Sequence, residues 1–324
     1  MIRQRGLSIT ELQIALAVGL FLTSTIFVVL EMSSRSSQST AQFNQLQESA
    51  RIALRLLEED IAQVGFFSDL TGVDLIAGTN ATAPVTASGV DCVGGGLNNG
   101  SFPNGSGNFR ALWAASRDTA AAISCESSAL PGSDVLQVKR LEASEIQTGS
   151  FGDRFYATVN INEIQFFNGV DTPPVLPGGR IYEYQHRVYY VANNDAGEPE
   201  LVRHALTGGA LMGSPEPLVT GVEAMQLEFG VDADGDGVVD VYLATADLAA
   251  GIWDQANGAG ILSVRIHLLL RALSKDNSYK AGGTRTYQMP AGVIEVADDG
   301  YRRKRMSTTV ALQNPWLQAR RAAL

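Results

Sequence analysis

Four aspartates fall within nine residues, in Val231-Asp232-Ala233-Asp234-Gly235-Asp236-Gly237-Val238-Val239-Asp240. Counted from Asp232, acids take the first, third, fifth and ninth places and Gly237 the sixth, which matches the start of a calcium loop. Hard carboxylate oxygens suit Ca²⁺, and Gly237 lets the chain turn sharply around an ion. The twelfth place is Leu243, without the bidentate glutamate of an EF-hand, and both flanks read as strands. Two readings stand. One is a Ca²⁺ site made by Asp232, Asp234, Asp236 and Asp240, completed by Asp247 or backbone carbonyls. The other is a solvated Asp/Gly turn joining two strands of a hairpin. Mutual repulsion of the four charges favours the cation.

A different acid stands alone. Glu11 lies at the start of an apolar run that continues through residues 13–30 without further charge, preceded by Arg3 and Arg5. That length can span a bilayer as one helix, and the flanking cations place its short N-terminal end in the cytoplasm. A carboxylate in hydrocarbon costs roughly 2.5–3.5 kcal/mol on insertion scales, so Glu11 is a functional candidate. A secretory signal would carry its small-residue cleavage site after the apolar run; here Gly6 precedes it.

Other chemistry is sparse. No G-x-S-x-G elbow, H-E-x-x-H helix or P-loop lysine motif occurs, so the chain reads as a non-enzyme. His186 and His267 sit within strand patterns, and Trp113, Trp253 and Trp316 read as packing residues. Cys92 and Cys125 both follow the apolar run; in an exported body an oxidising compartment favours their disulfide. Closing that loop contributes roughly 3–4 kcal/mol on the chain-entropy account, the alternative being a reduced pair. Net charge is −10 and the one basic block is Arg302-Arg303-Lys304-Arg305, a poor surface for nucleic acid.

The elements that position these residues follow from period. Phe43, Leu46, Ala50, Ala53, Leu57, Ile61 and Val64 recur at helical spacing, and no proline intervenes between Leu7 and Val64. One continuous helix is therefore expected, half membrane-embedded and half packed on a body, stopping near Gly65. Residues 71–133 turn to Gly, Asn, Ser, Thr and Ala, a loop-rich excursion holding both cysteines. Strand patterns follow at 134–141, 157–167, 180–192, 200–206, 222–229, 237–244, 261–273 and 306–313. The fold class is α+β, a long N-terminal helix against an antiparallel sheet.

Gly6-Leu7 followed by Glu11 resembles the signal of type IV prepilins. Three later stretches narrow the resemblance to the PilW family of minor pilins, related to J-type pseudopilins: Ala50-Arg51-Ile52-Ala53-Leu54 through Gly65-Phe66, Ser263-Val264-Arg265-Ile266 through Arg271, and Arg302 to Asn314. Leu7 replaces a phenylalanine and Gln313 an arginine usual in such sequences; residues 71–133 match nothing nameable. The resemblance implies a 1–6 leader cut by a prepilin peptidase, with N-methylation of Leu7 and Glu11 acting in assembly. It implies a membrane and filament-core segment at 7–32 and an amphipathic half at 33–65. A loop region at 66–133 and a β domain at 134–324 complete the expected layout. The implied function is a minor pilin that primes pilus assembly near the filament tip, serving biogenesis, twitching motility and adhesion. Its partners would be other minor and major pilins, a candidate tip adhesin and the inner membrane, with the body periplasmic before export to the pilus. The alternatives are a type II secretion pseudopilin and a membrane-anchored, calcium-dependent adhesin.

Overall fold

The structure, a computed structural model, describes residues 8–85, 89–105, 107–117, 123–126, 128–147, 151–209, 211–255, 259–276, 279 and 283–314. Helix α1 runs unbroken over Ile9–Ala62, about 80 Å at 1.5 Å per residue. Ser8 caps its start: Thr10 N–H donates to Ser8 Oγ, and the Glu11 carboxylate accepts Ser8 N–H at 2.9 Å. At the other end Gly65 adopts φ +72°, and Asn314 Nδ2 donates to the carbonyls of Gln63 at 3.4 Å and Val64 at 3.1 Å. A side chain from the far end of the described chain thus satisfies carbonyls that the helix terminus leaves free.

Fourteen strands follow among the described residues: β1 (Ala81–Thr82), β2 (Leu112–Ser116), β3 (Asp134–Glu145), β4 (Phe155–Val159), β5 (Ile164–Asn168), β6 (Arg180–Asn193) and β7 (Pro199–Ala205). Then come β8 (Glu216–Thr220), β9 (Val222–Asp232), β10 (Val241–Ala244), β11 (Gly260–Arg271), β12 (Arg285–Met289), β13 (Gly292–Val296) and β14 (Arg303–Ala311). A four-stranded antiparallel sheet has the order β10-β9-β11-β14. An eight-stranded sheet has the order β1-β5-β4-β6-β3-β2, with β7 added to β6 and β8 to β7. Strand β6 is long enough to branch: its first residues pair with β4, its last with β7, and β3 lies along its other edge. A β12–β13 hairpin covers Ala224 and Leu269 through Met289.

The second half of α1 packs on β8, β11 and β14. Leu46, Ala50, Ala53, Leu57 and Ile61 are buried along it, joining Val264, Ile266, Leu268 and Leu270 in one core. Full burial of each large aliphatic side chain contributes roughly 1.5–3 kcal/mol. Phe43, expected in the same stripe, is 40% exposed, and the Arg302 guanidinium lies 5.4 Å from its ring centre. Strand β14 begins there and ends at Asn314's cap, so it runs alongside α1 in the same direction.

Several elements depart from expectation. The pattern at 157–167 is not one strand but the β4–β5 hairpin, because Asn160 Oδ1 accepts the N–H groups of Asn162 and Glu163 and turns the chain. Within 66–133, β1 and β2 form, and Phe102, Phe109, Leu112 and Trp113 are buried. Among the described residues the strands form three sheets rather than one.

One ion cluster joins α1 to the larger sheet. Asp60 is 2% exposed; Arg187 Nη1 donates to its two oxygens at 2.6 and 2.8 Å, and Arg140 Nη2 to Oδ1 at 3.0 Å, while Tyr189 Oη–H donates to Oδ2. Burial by itself pushes this carboxyl up, but the Arg187, Tyr189 and Arg140 donors outweigh it and hold it below 3.8. A depressed folded pKa means the contribution is present above the unfolded value and is lost as pH falls through the folded one. Asp60→Ala leaves the buried Arg140 without this partner and is expected to cost about 3–5 kcal/mol. Chemical denaturation of the detergent-solubilised protein at neutral pH measures it; a loss under 1 kcal/mol (about one surface ion pair) would contradict the reading.

Candidate functional site

The aspartate loop leaves the sheet between β9 and β10, whose last pairing is Val231 with Val241. Asp232 is fully buried, and its two oxygens accept Gly235 N–H at 2.7 Å and Gly237 N–H at 2.8 Å. Both glycines lie at positive φ, +81° and +87°, where other residues are strained. Asp240 Oδ2 accepts Ala233 N–H at 2.8 Å, and Asp236 Oδ1 accepts Val238 N–H at 2.7 Å. One carboxylate oxygen each from Asp232, Asp234 and Asp240 lies within 4.8 Å of the others. Neither Asp236 nor Asp247 belongs to that group, and Leu243 is paired within β10. The loop therefore gathers three of the four expected ligands. Its donor set is all hard oxygen and its backbone is pre-turned, which would fit Ca²⁺, with carbonyls or water completing a shell of about 6–8 oxygens.

Cys92 and Cys125 are disulfide-linked. Around the bridge the excursion buries polar groups in an ordered chain. Gln137 Nε2 donates to Cys92 O at 3.1 Å and to His186 Nε2 at 2.8 Å, so Nε2 is an acceptor and the ring proton sits on Nδ1. His186 Nδ1–H then donates to Ser101 Oγ at 2.7 Å, leaving the hydroxyl proton for Asp91. Burial pushes His186 well below the usual imidazole range, keeping it neutral. In a catalytic pair the histidine accepts the serine proton; here the direction is reversed, and both residues are sealed from solvent. The constellation pins the loop.

His204, on β7, faces two acceptors: Gly213 O at 2.8 Å from Nδ1 and Glu126 Oε2 at 3.3 Å from Nε2. Only the imidazolium can donate to both. The Glu126 hydrogen bond raises His204 above 6.5; Glu126 itself is pushed up by burial but held at about 2 by bonds from His204, Ser128 and Tyr190. Since Glu126 adjoins Cys125, the pair clasps the disulfide loop to β7. His267 differs: Arg305 Nη2 donates to its Nδ1 at 3.1 Å and its Nε2–H donates to Glu228 at 2.7 Å, and burial pushes it down.

At the membrane end, Gly6 and Leu7 lie outside the described residues, as does Trp316. Glu11 lies in the first turn of α1, where it completes a capping box with Ser8. The signal for that role was in the chain, as S-x-x-E ahead of an apolar run. Asp60, Arg140 and Asn314 carried no comparable local signal, because their partners are remote in sequence.

An apolar helix of membrane length, continued into a body of largely antiparallel sheets, makes this an α+β protein. Residues 188–314 are similar to the family described as Type IV Pilus-assembly protein W. The matched stretch runs from the second half of β6 through the four-stranded sheet to the capping Asn314. A type IV-like pilin from Thermus thermophilus is similar in structure at 12% identity and TM-score 0.37, over 83% of this chain and 96% of that one. No curated protein sequence matches.

The His204–Glu126 clasp has a testable sign. A folded pKa raised above 6.5 gives stability that is fully present below that value and is lost as pH rises through the folded pKa. Melting temperature is expected to fall with pH on the alkaline side of 6.5, and His204→Gln should flatten that slope. Thermal melts of both proteins across this range check it; identical slopes would remove the clasp.

Proposed function

We propose that this protein is a minor pilin that primes type IV pilus assembly and sits near the filament tip. The observation that carries the reading is α1 itself. Its apolar half is exposed on every side, while the same helix continues into a half that is locked on the body. A helix apolar all round needs lipid or other apolar helices about it. Inner membrane first and a bundle of pilin spines afterwards supply both. Cleavage after Gly6 by a prepilin peptidase, with methylation of Leu7, would free the end of that helix, the N-terminus cytoplasmic and the body periplasmic. Glu11 would then meet the amino terminus of a neighbouring pilin. Placement near the tip draws support from the larger sheet. Tyr182 meets Ser68 and Arg180 meets Asp69, so β6 and β4 extend past the end of α1. Bulk beyond the spine is easiest to accommodate where no subunit is stacked above.

Glu11→Ala decides between a filament subunit and a plain anchor. An anchor gains from losing the acid's desolvation cost. A filament subunit should keep its membrane level and its Leu7 terminus, yet cross-link less to partner prepilins and give fewer surface pili. Immunoblotting, N-terminal peptide mass and pilus shearing read these quantities. Wild-type piliation would remove the docking role and favour the anchored adhesin, while a mature terminus other than Leu7 would remove the pilin assignment. Gene neighbours encoding secretion components would instead favour the pseudopilin.

The aspartate loop adds a second reading, a Ca²⁺ site at Asp232, Asp234 and Asp240, with Asp236 at its rim. It rests on the convergence of their oxygens around one buried carboxylate. Without a twelfth-place glutamate, affinity should be roughly 10⁻⁴–10⁻³ M, the range of extracellular modules. Calorimetric titration of the detergent-solubilised protein is expected to show saturable binding that Asp232→Asn abolishes. Absence of heat at millimolar Ca²⁺ would leave a self-satisfied hairpin turn.

A further inference from the structure

Lys139 stands in the middle of β3 and is fully buried. Its Nζ donates to Asn99 Oδ1 at 2.8 Å and to Arg110 O at 2.9 Å, and lies 4.5 Å from the centre of the Phe109 ring. No carboxylate forms an ion pair with it among the described residues. The guanidinium in its surroundings, Arg110, is paired with Asp254. Burial drives this amine well below the usual lysine range, Asp91 opposing and Arg110 adding to the effect. A desolvated, neutral lysine is a nucleophile.

The group it faces is an amide held still. Asn99 is 1% exposed, and its Nδ2 donates to Gly95 O at 2.9 Å. Trp113 closes over the same spot: a Cβ on Gly94 would fall 2.4 Å from Asn99 Nδ2 and 2.7 Å from Trp113 Cε3. Glycine at 94 is what allows the loop, the indole and the amide to approach this closely. Water, which would compete for the amine and solvate the amide, is excluded from both partners.

We propose that Lys139 and Asn99 join in an intramolecular amide cross-link. The Nζ lone pair adds to Asn99 Cγ, and charge moves to Oδ1. As the carbonyl re-forms, the Cγ–Nδ2 bond breaks. Nδ2 takes up a proton given up by Nζ and leaves as ammonia. One C–N bond forms and one breaks, and no redox partner is needed. Gly95 O orients the leaving nitrogen, and the field of Asp91 stabilises the positive charge on Nζ during addition. The product ties the glycine-rich loop to β3 independently of Cys92–Cys125.

The test is mass spectrometry of the full chain purified from membranes, reduced and alkylated. The expected intact mass falls short of the processed, reduced chain by one ammonia. Trypsin should fail to cut after Lys139, and fragmentation should show a branched peptide joining Asn99 to Lys139. Lys139→Met should restore the missing ammonia; should that variant not fold, the wild-type masses decide alone. Recovery of both peptides linear, with Asn99 intact or merely deamidated, overturns the proposal and leaves a lysine held by hydrogen bonds.

Discussion

The carboxylate of Asp60 is where two structures become one. Up to that residue, α1 lays its apolar stripe on β11 and β14 of the four-stranded sheet and on β8 of the larger one. The eight-stranded sheet meets the helix through Arg140 on β3 and through Arg187 and Tyr189 on β6, all of which converge on Asp60. Arg140 is nearly as buried as the acid, and removing either one takes from the other a buried partner that only Glu142 on one side, or Arg187 and Tyr189 on the other, would then replace. That mutual dependence fixes the register of β3 and β6 against the last turn of the spine. Everything carried on β3 and β6, including His186 and the loop it pins, inherits its position from this cluster.

How much of this could be read from the chain depends on the range of each interaction. The spine was legible because helix period and absence of proline are local facts, and they place its end within two or three residues. Strands with alternating patterns, such as Val264 to Leu270, were legible for the same reason. Strand β2 was not: Leu112 to Ser116 is nearly all buried and too short to show a period. The β12–β13 hairpin has the opposite difficulty, since nearly all of its residues are exposed or partly so and only Met289 is buried. The β4–β5 hairpin was concealed by apolar residues on both sides of a turn whose signal, Asn160, lay inside the run.

The glycine-rich excursion failed as a sequence reading for a deeper reason. Its interior is held by polar contacts instead of an apolar stripe. Arg110 Nε and Nη2 bond the Asp254 carboxylate at 2.7 and 2.8 Å, Asn98 Nδ2 donates to the carbonyls of Leu75 and Gly107, and Asp91 and Ser101 anchor His186. Such groups are costly unless each is paired, and the described residues of the segment pair them. Composition rich in Gly, Asn and Ser suggests loose chain. Here it lets backbone and side-chain donors come close enough to satisfy one another. The aspartate loop obeys the same rule, its carboxylates turned inward onto Gly235 and Gly237 N–H groups.

At the other end of the spine this logic constrains assembly. Glu11 is not an idle acid waiting in hydrocarbon, because its carboxylate already accepts Ser8 N–H and completes the cap of α1. In the proposed filament, a neighbour's amino terminus would therefore have to share that carboxylate with the cap or displace Ser8 from it. In a low-dielectric core the attraction to a full positive charge exceeds that to one amide N–H, so exchange is favoured, though its gain is smaller than an unpaired acid would give. Before any such docking the same cap would help the helix start, since a satisfied carboxylate is less costly to hold at a membrane interface than a bare one. On the proposed reading, one residue would serve anchor and filament in turn, provided the first partner is weaker than the second.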